Sequence, residues 1–179
     1  MPKAESPDSK TITTSFRIKS DLLKKLQQEA DEKELNLTSL ANQIFAGHVK
    51  WGSMATKAGF MPVSKELMRL LLSRLDRDEV VQVAKELRDN IKSAHILMHG
   101  RYTVETFLDT LGTLSKESDF AFMNQAMAGR RQVAIQHSLG HNFSVLVAEI
   151  CAQALSELGR KGIEREVTDS MMLVAFDDF

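Results

Sequence analysis

Thr13, Ser15 and Arg17 recur at every second position near the start of this chain, and Lys19 extends the series. On one face of an extended segment they set two hydroxyls and two cations in a row. A guanidinium, an ammonium and hydroxyls so placed are hydrogen-bond donors suited to anions and other acceptors. A different chemistry is offered by histidine. Four of the five histidines fall in pairs four residues apart, His95/His99 and His137/His141. On a helix that spacing puts both imidazoles of His95 and His99 on one face, as a metal site requires. The second pair spans an expected loop and lacks that geometry, so no metal is assigned and His95 and His99 stand only as weak candidates. Arg131, His137 and Gly140 mark a third place, where a strand runs through a glycine loop into a helix start. Free N–H groups at such a start attract carboxylate or phosphate, with Arg131 and His137 as added donors for a small-molecule effector. The plainer reading, a turn in which Gly140 supplies a positive φ, carries more weight.

Catalysis finds little support. No Ser/His/Asp order, glycine-rich phosphate loop or paired CxxC stands out. His137 and Cys151 would meet as base and nucleophile only if a cysteine about 14 Å into a helix reached back to its start. Cys151 lies among Ile150, Ala152 and Leu155, and a lone cysteine in such a setting is usually a small buried hydrophobe. The nine methionines read as scattered core filling. The expectation is a protein that is not an enzyme and carries no cofactor.

The row of donors needs elements to hold it. In Thr11–Lys19, Ile12, Thr14, Phe16 and Ile18 share the face opposite Thr13, Ser15, Arg17 and Lys19, so the segment reads as a strand. A lone strand leaves its backbone groups unpaired, and no second strand follows nearby. The simplest partner is the same strand of a second copy, and a two-stranded ribbon fits the DNA major groove. Ser20 stands where a helix N-cap belongs, with Asp21 in the first turn. Leu22, Leu26 and Ala30, flanked by Leu23, then form an apolar stripe opposite Glu29, Asp31, Glu32 and Glu34. The pattern breaks over Glu34–Leu37, where Asn36 is expected to take a left-handed turn. Thr38 is the expected cap of a second helix bearing Leu40, Ala41, Ile44, Phe45 and Val49.

Phe16-Arg17-Ile18, the Ser20-Asp21-Leu22-Leu23 helix start, Leu26, Ala30 and Leu37-Thr38-Ser39-Leu40-Ala41 together resemble the ribbon-helix-helix transcription regulators of the MetJ/Arc/CopG type. The resemblance covers about a quarter of the chain. It implies a homodimer whose paired strands enter the major groove, with Thr13, Ser15 and Arg17 reading bases. It also implies phosphate contacts at Thr38 and Ser39, at the start of the second helix, to which Lys19 and Lys24 add charge. Nickel-responsive members of that family use histidines and one cysteine in a C-terminal domain, and this chain lacks their closely spaced cluster.

Composition sets limits. A chain of 179 residues accommodates one good-sized domain or two small ones. Hydrophobic content of 43% and charged content of 26% are ordinary for a globular protein. The net charge of −1 argues against a large sequence-independent DNA surface. Over residues 1–51 the count is 8 Lys and Arg against 7 Asp and Glu, a net of +1, so any attractive field comes from local placement of Lys10, Arg17, Lys19, Lys24 and Lys25. No apolar run of about 18 residues marks a membrane span, and the polar opening is no signal peptide. With a single cysteine, no internal disulfide forms, which fits the cytoplasm.

The organisation expected is a flexible arm over 1–10, a ribbon-helix-helix DNA-binding and dimerisation domain over 11–51, a linker over 52–63 and an α+β domain over 64–179. In the last, Ser64 caps a helix to about Leu75, Asp78 begins another to Met98 or His99, and Gly100 stops it. Thr103 opens a third helix. Phe120–Met127 and Gln132–His137 read as a hairpin around Ala128-Gly129-Arg130-Arg131. A helix from Asn142 or Ser144 runs through Leu158 to Gly159, and Ile163–Val167 and Met171–Phe176 complete a strand or hairpin. The fold class is therefore α+β, mainly helical, with the C-terminal domain as a candidate sensor or oligomerisation unit.

The function expected is a cytoplasmic, sequence-specific DNA-binding transcriptional regulator, most simply a repressor. It would act as a homodimer or a dimer-based higher oligomer on double-stranded DNA, with no membrane partner. The alternatives are an antitoxin-like adaptor that uses the ribbon to dimerise and binds a protein, and a ligand- or metal-responsive sensor.

Overall fold

The computed structural model describes residues 11–178; the arm expected over 1–10 lies outside them. The fold is α+β, with seven α-helices and a four-stranded antiparallel sheet among the described residues, and is about 56% helical. The chain divides into two compact units, Met1–His48 and Val49–Phe179.

In the first unit, Thr11–Lys19 has no regular secondary structure within the single chain. Helix α1 spans Ser20–Glu32 and α2 spans Leu37–Gly47. Ser20 is the first helical residue and not the cap. That position falls to Lys19, whose side chain has no acceptor to offer the free N–H groups. The turn between the helices also differs from expectation. Glu34, at φ 53°, takes the left-handed position, with Glu34 N–H donating to Asp31 O and Leu35 N–H to Ala30 O. That pair of bonds is a Schellman ending. Asn36 is extended and caps α2, its Oδ1 accepting from Ser39 N–H at 2.8 Å. A carboxamide oxygen is worth about 1 kcal/mol at an N-cap, more than it contributes by tolerating a left-handed turn. Thr38 accordingly sits inside the helix, one residue beyond its start.

After α2 come a π-helical stretch, His48–Gly52, and the short α3, Ser53–Ala55. Helix thus occupies the first part of the segment expected as a linker. Ser64 caps α4, Lys65–Leu72, by accepting from Leu67 N–H. Helix α5, Arg77–His99, starts just before the expected Asp78 because Asp76 and Glu79 form a reciprocal capping box. Gly100, at φ 69°, ends it. Thr103 caps α6, Val104–Glu117.

The sheet consists of β1 (Ala121–Met127), β2 (Arg130–Gln136), β3 (Glu164–Val167) and β4 (Met171–Asp177), in the order β1-β2-β4-β3. The β1–β2 turn is Ala128-Gly129 alone, with both φ values positive, as a type I′ hairpin requires. Arg130 and Arg131, expected in that turn, belong to β2. Helix α7, His141–Glu157, joins β2 to β3, with Gly140 at its N-cap position, and so starts earlier than the expected Asn142 or Ser144.

Register places Val133 opposite Val174 and Ile135 opposite Met172, so these four share one face. They pack with Phe107, Leu111, Cys151, Leu155 and Phe176 into the main core beneath α6 and α7. A second core joins α4, α5 and α7 through Leu72, Val80, Ala84, Val145 and Leu146. Gly112 lies in mid-helix, where glycine normally costs about 1 kcal/mol relative to alanine. The Phe122 ring explains it, since a Cβ there would lie 2.9 Å from Phe122 Cε1.

Candidate functional site

The row expected to read bases lies in the exposed segment before α1. Phe16 turns to Phe45 of α2, their rings edge-on at 5.7 Å. Thr13, Ser15 and Arg17 are all exposed. Among the described residues, none of Thr13, Ser15, Arg17, Lys19, Lys24 and Lys25 makes an ion pair or a side-chain hydrogen bond. At the far end of α1, Lys33 is held by Glu29 at 2.7 Å and Asp31 accepts from Gln27 at 3.0 Å. Free cations therefore collect at the segment and the early part of α1, and carboxylates at its end.

That layout opposes the helix itself. Carboxylates in the last turn face the negative end of the macrodipole, at about 0.3–1 kcal/mol each. The charges are poorly placed for helix stability and well placed to keep one end attractive to an anion.

At the start of α2, Asn36 already takes the Ser39 N–H. The N–H groups of Leu37 and Thr38 remain for a phosphate, with the Ser39 hydroxyl beside them. Thr38 is exposed and Ser39 half-buried.

The second unit treats its candidates differently. His137 is buried, and its Nδ1 accepts from Leu139 N–H at 3.1 Å. The ring hydrogen must then sit on Nε2, which donates to Ser144 Oγ at 2.9 Å, and Ser144 donates on to Thr168 O at 2.6 Å. Phe143 and Phe120 enclose the ring at 4.7 and 6.0 Å. Burial pushes the His137 imidazole below the usual histidine range. Arg131 lies at the other end of β2, about 20 Å away at the strand rise of ~3.3 Å per residue, and bonds Asp178 at 2.9–3.0 Å. Gly140 takes φ 86° at the start of α7. Arg131, His137 and Gly140 are thus not brought together, and the polar groups of Arg131 and His137 are engaged within the fold.

His95 and His99 do share a face of α5, ring centroids 6.1 Å apart. His95 Nδ1 bonds Ile91 O at 2.7 Å, and burial against Tyr102 and Phe107 lowers its pKa. Its Nε2 is buried without a partner. His99 Nε2 meets Thr110 Oγ1 at 2.8 Å. The Thr110 hydroxyl hydrogen is committed to Thr106 O, so His99 is the donor. Among the described residues no three His, Cys, Asp or Glu side chains are grouped to hold a metal. His141 stays exposed, 3.6 Å from Asp169. Burial pushes the Cys151 thiol up to about 12, far from a thiolate at neutral pH.

Sequence reasoning missed the His137–Ser144–Thr168 chain, signalled only by a serine set in the apolar run Phe143–Val147. It also missed Asn142, whose Nδ2 donates to Leu72 O and Leu75 O at 2.9 and 2.8 Å and ties α7 to the end of α4. An open groove of about 750 Å³ between α5, α7 and β3 is bordered by Lys85, Arg88, Arg165, Glu149 and Glu157. Its charges largely answer one another, Arg165 pairing with Glu149 at 2.6 Å and Glu157 with Lys92. Comparison with family models, curated proteins and solved structures found no match.

Proposed function

We propose that this chain is a homodimeric, sequence-reading DNA-binding regulator of the cytoplasm, of the ribbon-helix-helix kind, in which the Thr11–Lys19 segments of two copies pair as a ribbon. The observation that carries the reading is the state of the first unit. Ile12 is 88% exposed and Phe16 56%, with Ile18, Leu22, Leu23, Ile44 and Phe45 also exposed. Only Ala30 and Leu40 are buried there among the described residues. A unit that leaves this much apolar surface in water is completed by association. Pairing the segments would also satisfy their backbone groups and leave Thr13, Ser15 and Arg17 pointing outward, doubled by the two-fold axis.

Arg17 then takes a guanine edge, with Thr13 and Ser15 tuning the preference. Lys19, Lys24 and the start of α2 hold phosphates and fix the register. Blocking of a promoter follows from occupancy alone, which makes a repressor the simplest outcome.

Selection of duplexes from a random pool, followed by anisotropy titration at several salt concentrations, tests the reading. The expected result is a pseudo-palindromic preference and an affinity that falls with salt. Arg17→Ala should lose roughly 1–3 kcal/mol and relax specificity at one base pair of each half-site. An unchanged affinity for that variant removes Arg17 from base reading, and the absence of any duplex preference removes the function.

The overall charge of −1 favours a second reading, an adaptor in which the ribbon only dimerises the chain and the second unit binds a protein. Exposed Leu67, Leu70 and Leu71 along α4 supply apolar area for such a partner.

A further inference from the structure

The two edges of the sheet are built differently. Strand β3 is four residues long and carries Glu164, Arg165 and Glu166. Arg165 is tied to Glu149, and Glu164 to Arg130. Short, charged edges of this kind resist pairing with other strands. Strand β1, Ala121–Met127, has seven residues with neither a charge nor a proline, whereas β2 and β4 each contain charged residues.

The hairpin settles which backbone groups of β1 are free. Met127 and Arg130 flank a two-residue turn and so exchange both backbone bonds; Gln125, Met123 and Ala121 repeat that bonding with Gln132, Ala134 and Gln136. The N–H and C=O groups of Phe122, Asn124 and Ala126 therefore point away from β2. Among the described residues no other hydrogen bond reaches them.

We propose that β1 is an interface for a second copy of this chain, pairing antiparallel about a two-fold axis at Asn124 to join two sheets into one of eight strands. In that register Asn124 faces its own copy, Phe122 faces Ala126, and Met123 faces Gln125. The pleat is preserved, because residues of like parity meet and each side chain stays on its own face. No charge meets a like charge. The same operation on β3 would set Arg165 against Arg165 and Glu164 against Glu166, which is repulsive. Neutrality thus makes β1 self-compatible and leaves it no charge by which to select a foreign strand. The interface rests on the proposed homodimer in one respect: two chains already in one particle meet at a raised effective concentration.

Cysteine cross-linking of the full chain tests it, in a Cys151→Ser background. Asn124→Cys should form an intermolecular disulfide under mild oxidation, since hydrogen-bonded antiparallel pairs set Cα atoms about 5.5 Å apart, within disulfide range. Arg165→Cys, exposed at the corresponding two-fold position of the other edge, should cross-link about tenfold more slowly, because Glu164 there still faces Glu166. Hydrogen exchange supplies a second readout that needs no cysteine. The amides of Phe122, Asn124 and Ala126 should be protected in the parent protein and lose protection in Asn124→Lys, whose side chain is exposed and leaves the fold intact. Equal cross-linking at the two edges overturns the interface, as does unchanged protection in Asn124→Lys. Protection that persists on dilution without a cross-link assigns the edge to a strand of the same chain, and also overturns it. DNA titration of the same variants separates this failure from that of the proposed function. DNA binding without the cross-link sinks the β1 interface alone. The cross-link without DNA binding sinks the regulator and leaves the interface standing.

Discussion

The two units solve the same problem to different extents. In Val49–Phe179 helices α6 and α7 close over one face of the sheet, and Phe176, Met172, Val174 and Leu155 lose nearly all contact with water. In Met1–His48 two helices meet chiefly at Ala30 and Leu40, and the larger apolar side chains stay wet. A pair of short helices has too little interior to close a core unaided. The contrast teaches that the second unit closes a core within one chain, although it leaves a sheet edge and part of α4 uncovered, whereas the first has the residues for a core without the volume. It also accounts for the polar chemistry. In the second unit the hydroxyls of Ser144 and Thr110 and the imidazoles of His137 and His99 are engaged with one another, while Thr13, Ser15 and Arg17 are left free.

The sharpest test of that difference is a matched pair of truncations. Phe176→Ala should destabilise the second unit by about 3–5 kcal/mol in denaturant unfolding, independent of protein concentration. Phe16→Ala should instead lower the concentration-dependent part of stability, read by repeating the unfolding over a hundredfold dilution. If Phe16→Ala proves as costly and as insensitive to dilution as Phe176→Ala, the first unit is self-sufficient and the contrast fails.

Ser144→Ala comes next in size. It strands the Nε2–H of buried His137 and removes the donor to the Thr168 carbonyl, at about 1–3 kcal/mol. Ser15→Ala, by comparison, should leave unfolding unchanged and alter only DNA affinity. A wild-type stability for Ser144→Ala would show that the polar chain is not structural.

Acid should also separate the units. His95 and His137 both have folded pKa values lowered by burial. Below about 6.5, the unfolded histidine value, the unfolded state binds more protons than the folded one, so the stability of the second unit falls as pH drops. The first unit contains one histidine, His48, and it is exposed. Denaturant midpoints measured between pH 7.5 and 5 should decline for the second unit; a flat profile would mean that neither buried imidazole remains neutral.

The smallest effect is expected at His95. Its Nε2 has no partner, so His95→Leu removes an unsatisfied buried group as well as one hydrogen bond. A net change within about 1 kcal/mol of zero follows, together with a shallower acid slope. A loss well beyond that would mean the nitrogen has a partner in solution.

Much of the second unit was legible because its boundaries are written locally. Ser64 and Thr103 cap helices, Gly100 ends one, and Ala128-Gly129 turns a hairpin, each through atoms within a few residues of one another. The errors arose where several local devices competed. Asn36 is equally eligible for a left-handed turn and for a cap, and Asp76 and Asp78 both stand where a carboxylate could begin α5. Around Gly140 the plainer expectation, a turn with a positive φ, is the one present, and the ligand grouping with Arg131 and His137 is absent for another reason. Closeness along a strand does not survive the strand's own length, and whether a histidine binds a ligand or a neighbouring serine depends on what folds over it.

Local sequence chemistry therefore settled the ends of the helices that Ser64 and Thr103 cap and Gly100 stops, the hairpin at Ala128-Gly129, and that the chain is α+β. Those properties depend on period, capping and turn stereochemistry, which act over a few residues. Tertiary structure alone decided the strand order β1-β2-β4-β3, the neutral edge that β1 leaves open, and the engagement of His137 by Ser144 and of Arg131 by Asp178. These depend on which distant segments pack together, and burial, once set, determines which polar groups are spent on the fold and which remain free to bind.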